Sequence, residues 1–172
     1  MTVKKGLVFD LDGVITDTAK FHYIAWKELG ESIGIEVDLE FNEQLKGISR
    51  MDSLDRILVH GGKENDYTTE EKEEMAASKN ANYVKLLDDL TPNDLLPGVK
   101  DFLDQAKERK IPCSLASASK NAPFILKKLG VFEYFDAIVD PATLKKGKPD
   151  PEIFIKAAEL IGLDPAEAIG FE

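Results

Sequence analysis

The run Gly6-Leu7-Val8-Phe9 is apolar without interruption and ends in Asp10-Leu11-Asp12-Gly13. An alternating pattern would mark a strand with one wet face. An unbroken run marks a strand buried on both faces, as in a parallel sheet covered by helices. Two aspartates at i and i+2 do not belong inside such a stretch. They stand at its carboxyl end, where open α/β sheets bind ligands, and Gly13 lets the chain turn there.

The texture then changes. From about Asp17 to Leu90 the spacing predicts helices only. The first carries Phe21, Ala25 and Leu29 and stops near Gly34, and a short one covers Leu39 to Leu45. Ser49 with Asp52 resembles a capping box ahead of Leu54, Ile57 and Leu58, and Gly61-Gly62 ends that helix. Thr68 with Glu71 opens the longest helix, whose stripe reads Ala76, Lys79, Tyr83, Leu86 and Leu90. From Pro97-Gly98 onward helix and strand alternate. A helix runs from Val99 to about Lys110, a strand from Cys113 to Ala116, and a helix from Asn121, with Pro123 in its first turn, to Gly130. A strand follows at Ala137 to Val139, a helix from Pro151 to Ile161, a capped turn at Asp164 to Glu167, and a strand at Ala168 to Gly170.

Strands separated by helices of this length predict βαβ units. The expected fold is a doubly wound, Rossmann-like parallel α/β core, residues 1–16 and 91–172, with a helical cap, residues 17–90, inserted after the first strand. The two crossings predict that the insertion covers that strand's carboxyl end.

Composition narrows the function. Lys and Arg total 22 against 32 Asp and Glu, a net charge of −10, with no basic stripe. That excludes a nucleic-acid partner, because affinity for a phosphate backbone rests on many Lys and Arg contacts. A small phosphate remains possible, since charge is screened beyond about 8 Å at physiological salt. No stretch approaches the roughly 18 to 20 apolar residues of a membrane span, and the N-terminus is unlike a signal peptide. The single cysteine, Cys113, cannot bridge internally and lies in an apolar run, which predicts a buried thiol and fits a cytoplasmic setting.

Carboxylates crowded at a strand mouth repel one another and are best tolerated around a cation. Hard oxygen donors suit Mg²⁺. With the charge neutralised, one Asp can attack phosphorus while the other moves a proton to or from the leaving group. The alternative is an Asp-rich turn that binds nothing.

Phe9-Asp10-Leu11-Asp12-Gly13-Val14-Ile15-Thr16-Asp17-Thr18 closely resembles the first motif of the haloacid dehalogenase superfamily of phosphotransferases. The later motifs occur in order: Ser117 after the second strand, Lys148-Pro149 before a helix, and Glu172 after the fourth strand. Within the superfamily the residues are most similar to the β-phosphoglucomutase group, through Thr16-Asp17-Thr18, His22, Trp26, Lys46-Gly47-Ile48-Ser49-Arg50 and Ala116-Ser117-Ala118-Ser119-Lys120-Asn121.

The resemblance implies interconversion of β-glucose 1-phosphate and glucose 6-phosphate by a monomer through an aspartyl-phosphate and a bisphosphate. It implies a catalytic set of Asp10, Asp12, Thr18, His22, Lys79 and Lys148. Gly47, Ser49, Arg50, Ser117, Ala118, Ser119, Lys120, Asn121 and Trp26 would hold substrate and phosphate. Mg²⁺ would lie on Asp10, the Asp12 carbonyl and Glu172. In the family the fourth motif continues with a further acidic metal ligand and more βα units, so the expectation is a core that lacks its C-terminal part and one ligand.

Several residues keep a second reading. Arg50 in the first turn of its helix meets the unfavourable end of the helix dipole, which a bound phosphate would reverse, or it extends into water. Lys79 turns inward to a site or snorkels out of its stripe. His22 is a site residue or a packed histidine, and Trp26 leans toward packing. A phosphatase of the same fold, and a non-catalytic relative, are the other functional classes.

Overall fold

The computed structural model describes residues 2–172. The chain forms two compact units: one made by the segment ending at Asp17 together with Leu90–Glu172, the other by Thr18–Asp89.

The first unit is α/β. Its strands are β1 (Gly6–Phe9), β2 (Cys113–Leu115), β3 (Ala137–Ile138) and β4 (Ala168–Phe171), in the order β3-β2-β1-β4 with all pairings parallel. All four residues of β1 are buried, as the unbroken apolar run requires. From β1 the sheet grows outward through β2 to β3, and β4 then returns to the far side of β1. The winding therefore reverses between β1 and β4, and the carboxyl ends there belong to Asp10 and Glu172. Phe9 stands opposite Phe171 in the register, and their rings stack at 5.0 Å. Phe102 and Phe135 pack edge-on against Phe9. This aromatic cluster fixes the two strand ends next to the acidic residues.

Among the described residues, the longer helices of this unit are Val99–Glu108, Ala122–Lys128 and Glu152–Leu160. Ile153, Ala157 and Ala158 of the last pack with Val8, Ala116 and Val139 into one buried cluster. Ser114 Oγ in β2 is buried without a hydrogen-bond partner among the described residues. Cys113 is buried, and burial first, then the Asp136 carboxylate, push its thiol up to about 11.

The second unit is helical: α1 (Ala19–Ser32), α2 (Leu39–Asn42), α3 (Arg50–His60) and α4 (Thr69–Leu87). Its core joins Trp26, Ile35, Val37, Phe41, Leu45, Leu54, Ile57, Leu58 and Ala76. Thr68 and Glu71 form a reciprocal capping box. Ser49 caps α3 by accepting from the Asp52 amide, but Asp52 turns its carboxylate to the Ser49 hydroxyl at 2.7 Å rather than to the cap's amide. The buried stripe of α4 runs through Ala76, Lys79, Tyr83 and Leu87, not Leu86, because seven residues from Ala76 to Tyr83 and four more to Leu87 keep step with 3.6 residues per turn. No helix among the described residues is long and apolar enough to cross a membrane.

Candidate active site

In the α/β unit, Asp10 is the first residue past β1. Its amide still donates to the Phe171 carbonyl at 2.9 Å, so the sheet's ladder sets its backbone. One carboxylate oxygen accepts from the Leu11 amide at 2.7 Å. The other lies 2.7 Å from Lys148 Nζ, and both side chains are mostly buried. Lys148 Nζ is also 3.3 Å from the exposed Glu172 carboxylate. The strand neighbours β1 and β4 thus present their terminal carboxylates to a single ammonium. Lys148 is thus paired on two sides rather than freely solvated.

The loop that carries Lys148 is tied down by Glu152, whose carboxylate accepts from the Lys145 amide at 3.0 Å and the Lys146 amide at 2.8 Å. These bonds, with Lys145 first, hold its carboxyl below the ordinary value. The Lys148–Pro149 peptide is cis.

After β1 the chain folds back on itself. Gly13 has a φ of +78°, its amide donates to the Thr16 carbonyl at 2.8 Å, and Asp12 and Thr16 form a bridge. A side chain at Gly13 is strained in that conformation. Leu11 and Ile15 are fully buried on either side of the half-buried Asp12, so the short loop is anchored at both ends.

Past β2, Ser117 is buried at 4% exposure, and its hydroxyl accepts from the Ser119 amide at 3.1 Å. The Ser119 hydroxyl in turn accepts from the Asn121 amide at 3.2 Å. Ala118 and Lys120 are exposed between them. Of the amides next to Ser117, that of Ser119 is already committed to the serine.

Among the described residues no three His, Cys, Asp or Glu side chains gather closely enough to hold a metal ion. The expected Mg²⁺ set contains only two carboxylates, those of Asp10 and Glu172, with a carbonyl as third donor. Both carboxylates turn to one cation, Lys148 Nζ, and all the donors are hard oxygens. The residues present therefore suit a divalent hard cation in chemistry.

The helical unit holds a second group. Lys79 is 4% exposed, and its Nζ lies 2.9 Å from His22 Nδ1 and over the rings of Trp26 at 4.4 Å and Tyr83 at 5.0 Å. The snorkelling alternative for Lys79 is overturned, because the amine finds its partners inside. Burial, then the Arg50 charge, lower Lys79 from 10.5 to about 7. Burial, then Lys79 and Arg50, lower His22 to about 3. His22 is therefore neutral across the working range.

Arg50 is the first residue of α3, exposed, with Nη2 donating to Asn80 Oδ1 at 2.8 Å. Gly47, two residues before the Ser49 cap, takes a φ of +76° and is exposed. Trp26 is 4% exposed within the unit's hydrophobic core, which makes it a packing residue. Thr18 is fully buried and accepts a hydrogen bond from the Tyr83 hydroxyl at 3.3 Å.

Two residues of this group belong to no sequence motif. Asn80 partners Arg50, and Tyr83 stacks on the His22 ring at 3.9 Å. Their one sequence cue was position: both lie within four residues of Lys79 on α4.

Comparison with known proteins gives these arrangements a lineage. The chain is 52% identical over 168 residues to the β-phosphoglucomutase of Bacillus subtilis, covering 98% of this chain and 74% of that protein. It is 30% identical over 167 residues to a fructose-1-phosphate phosphatase of Escherichia coli, covering 97% and 85%. The crystal structure of a β-phosphoglucomutase from Clostridium difficile superposes with a TM-score of 0.92 at 49% identity, covering 99% of this chain and 76% of that one. Residues 4–172 match the sequence model of the haloacid dehalogenase-like hydrolases. With a family model matched over nearly the whole chain, the chain belongs to the haloacid dehalogenase-like hydrolases.

Proposed function

We propose that this chain is a β-phosphoglucomutase, interconverting β-glucose 1-phosphate and glucose 6-phosphate through a phosphorylated aspartate and a glucose 1,6-bisphosphate. The observation that carries the phosphotransfer chemistry is the 2.7 Å pair between Lys148 and Asp10 at the mouth of β1. Asp10 is the nucleophile. Its carboxylate oxygen forms a bond to phosphorus as the bond from phosphorus to the sugar oxygen breaks. Asp12 protonates that departing oxygen, and in the return transfer it takes the proton from the other hydroxyl of the sugar. Lys148, already beside the nucleophile, offsets the charge that develops on the phosphoryl oxygens. Ser117 holds one of those oxygens.

The Asp10 carboxylate, the Asp12 carbonyl and Glu172 are the residues that would hold Mg²⁺, which when bound screens the repulsion between the carboxylate and an incoming phosphate. The remaining assignments concern the phosphate that is not transferred. Arg50, at the amino end of an eleven-residue helix with its guanidinium steadied by Asn80, has the charge and the donor geometry for a dianion. In the α/β unit, Ser119, Lys120 and Asn121 carry further phosphate-binding donors. The 52% identity to a protein of this activity favours the mutase over the phosphatase reading.

Arg50→Ala tests the assignment. The variant is expected to lose sugar-phosphate turnover by about 100-fold, the worth of two charge-assisted hydrogen bonds to phosphate, while hydrolysing a small acyl phosphate nearly as fast as the parent. Equal losses in both assays would refute a second phosphate-binding role.

A further inference from the structure

Thr18 and His22 are four residues apart at the start of α1, and Lys79 and Tyr83 are four residues apart on α4. Residues at that spacing share a helix face, so two such pairs set against each other make a four-cornered cluster. Three of its edges are direct contacts: Tyr83 hydroxyl to Thr18 Oγ1 at 3.3 Å, the Tyr83 ring stacked on His22 at 3.9 Å and 12°, and Lys79 Nζ to His22 Nδ1 at 2.9 Å. Thr18 and Tyr83 are fully buried.

A threonine at a helix amino end ordinarily caps it by accepting from an amide of the first turn. Thr18 occupies that position on α1 without a side-chain cap bond, and its hydroxyl accepts from Tyr83. The Phe21 and His22 amides are served by the Thr18 carbonyl, at 3.0 and 3.3 Å. The hydroxyl has thus left local helix stabilisation for a contact between two helices.

We propose that Tyr83 is a positioning residue: its ring and its hydroxyl together hold His22 and Thr18 in the single arrangement in which Lys79 donates to His22 Nδ1 and the ring proton stays on Nε2. The stacked ring fixes the imidazole plane, and the bond to Thr18 fixes where the Tyr83 ring lies along α1. With Nδ1 accepting from Lys79, neutral His22 offers only its Nε2 proton as a donor. Tyr83 acts through His22 and Thr18 and touches no substrate. Its effect on turnover rests on the mutase reading given above.

The test is a cycle of Tyr83→Phe, Thr18→Val and the double variant, with kcat and KM for β-glucose 1-phosphate, and imidazole nitrogen NMR of His22 in each protein. The phenylalanine keeps the stack and loses the hydroxyl. Each single variant is expected to lower kcat about fivefold to tenfold with KM changed less than twofold, and the double variant to be no slower than the slower single. His22 is expected as one tautomer, protonated on Nε2, in the parent and in Tyr83→Phe, and as a mixture in Tyr83→Leu.

A parent kcat in Tyr83→Phe, losses that multiply in the double variant, or an Nδ1-protonated His22 in the parent would each overturn the proposal. If Tyr83→Leu does not fold, the cycle and the parent spectrum still decide. If the parent makes no glucose 6-phosphate, the mutase reading fails by itself, and the parent spectrum with the same cycle on acyl-phosphate hydrolysis tests the positioning role independently.

Discussion

Replacing Lys79 by methionine should stabilise the helical unit while abolishing sugar-phosphate turnover. The lysine's ordinary value of 10.5 falls to about 7 in the fold, chiefly because a 4% exposed ammonium is stripped of water. The unfolded chain therefore binds more protons than the folded one between about pH 7 and 10.5. The cost of burying the charge is fully present below that window and fades as pH rises through it. At pH 7.5 the cost is about 4 kcal/mol, and at pH 9.5 about 1.4 kcal/mol. Methionine matches the length and removes the charge, losing mainly the hydrogen bond to His22, worth about 1 kcal/mol. The variant should be more stable by about 3 kcal/mol at pH 7.5, and this advantage should shrink by about 2.5 kcal/mol toward pH 9.5. Trp26 is the only tryptophan and lies in the unit's core beside Lys79, so its fluorescence during urea unfolding reports the equilibrium directly. A variant less stable than the parent at pH 7.5, or a difference that stays flat with pH, would refute the reasoning. The stabilised variant would also show that Lys79 is kept for function at the expense of stability.

Lys148→Ala should lower kcat by roughly 10²- to 10³-fold in both sugar-phosphate and acyl-phosphate assays, since it removes the cation beside the nucleophile. Cys113, pushed up to about 11 and buried, should not react with a thiol reagent at pH 8 in the native protein and should react at once in urea. Gly30→Ala should cost about 1 to 3 kcal/mol in the Trp26-monitored unfolding, because a Cβ there would meet the Ile35 carbonyl oxygen at 2.6 Å and Val37 Cγ2 at 2.8 Å.

The α/β pattern was legible because burial on both faces leaves an unbroken apolar run, and β1 begins and ends where that run does. The mouth of β1 was legible for the same reason, since aspartates end such a run abruptly. The 2.7 Å Lys148–Asp10 pair joins residues 138 positions apart and follows from the fold, so spacing alone was silent on it. The α4 stripe came out of periodicity except for Leu86, where a reading by threes and fours drifted off the true face onto Leu87's neighbour. Lys79 shows the limit most clearly. Its place in an apolar stripe was visible, but snorkelling and inward pairing produce the same pattern along one helix. Only α1, bringing His22 and Trp26, decides between them. Tyr83 read as one more core aromatic because its hydroxyl partner, Thr18, lies on another helix.

The most direct test of the account is product analysis after incubating the protein with β-glucose 1-phosphate, Mg²⁺ and a catalytic amount of glucose 1,6-bisphosphate, with Asp10→Asn alongside. Glucose 6-phosphate is expected from the parent, with a hydroxylamine-labile phosphate mapped to Asp10, and neither from the variant. Free glucose and inorganic phosphate as the products, or a phosphorylated residue other than Asp10, would contradict it.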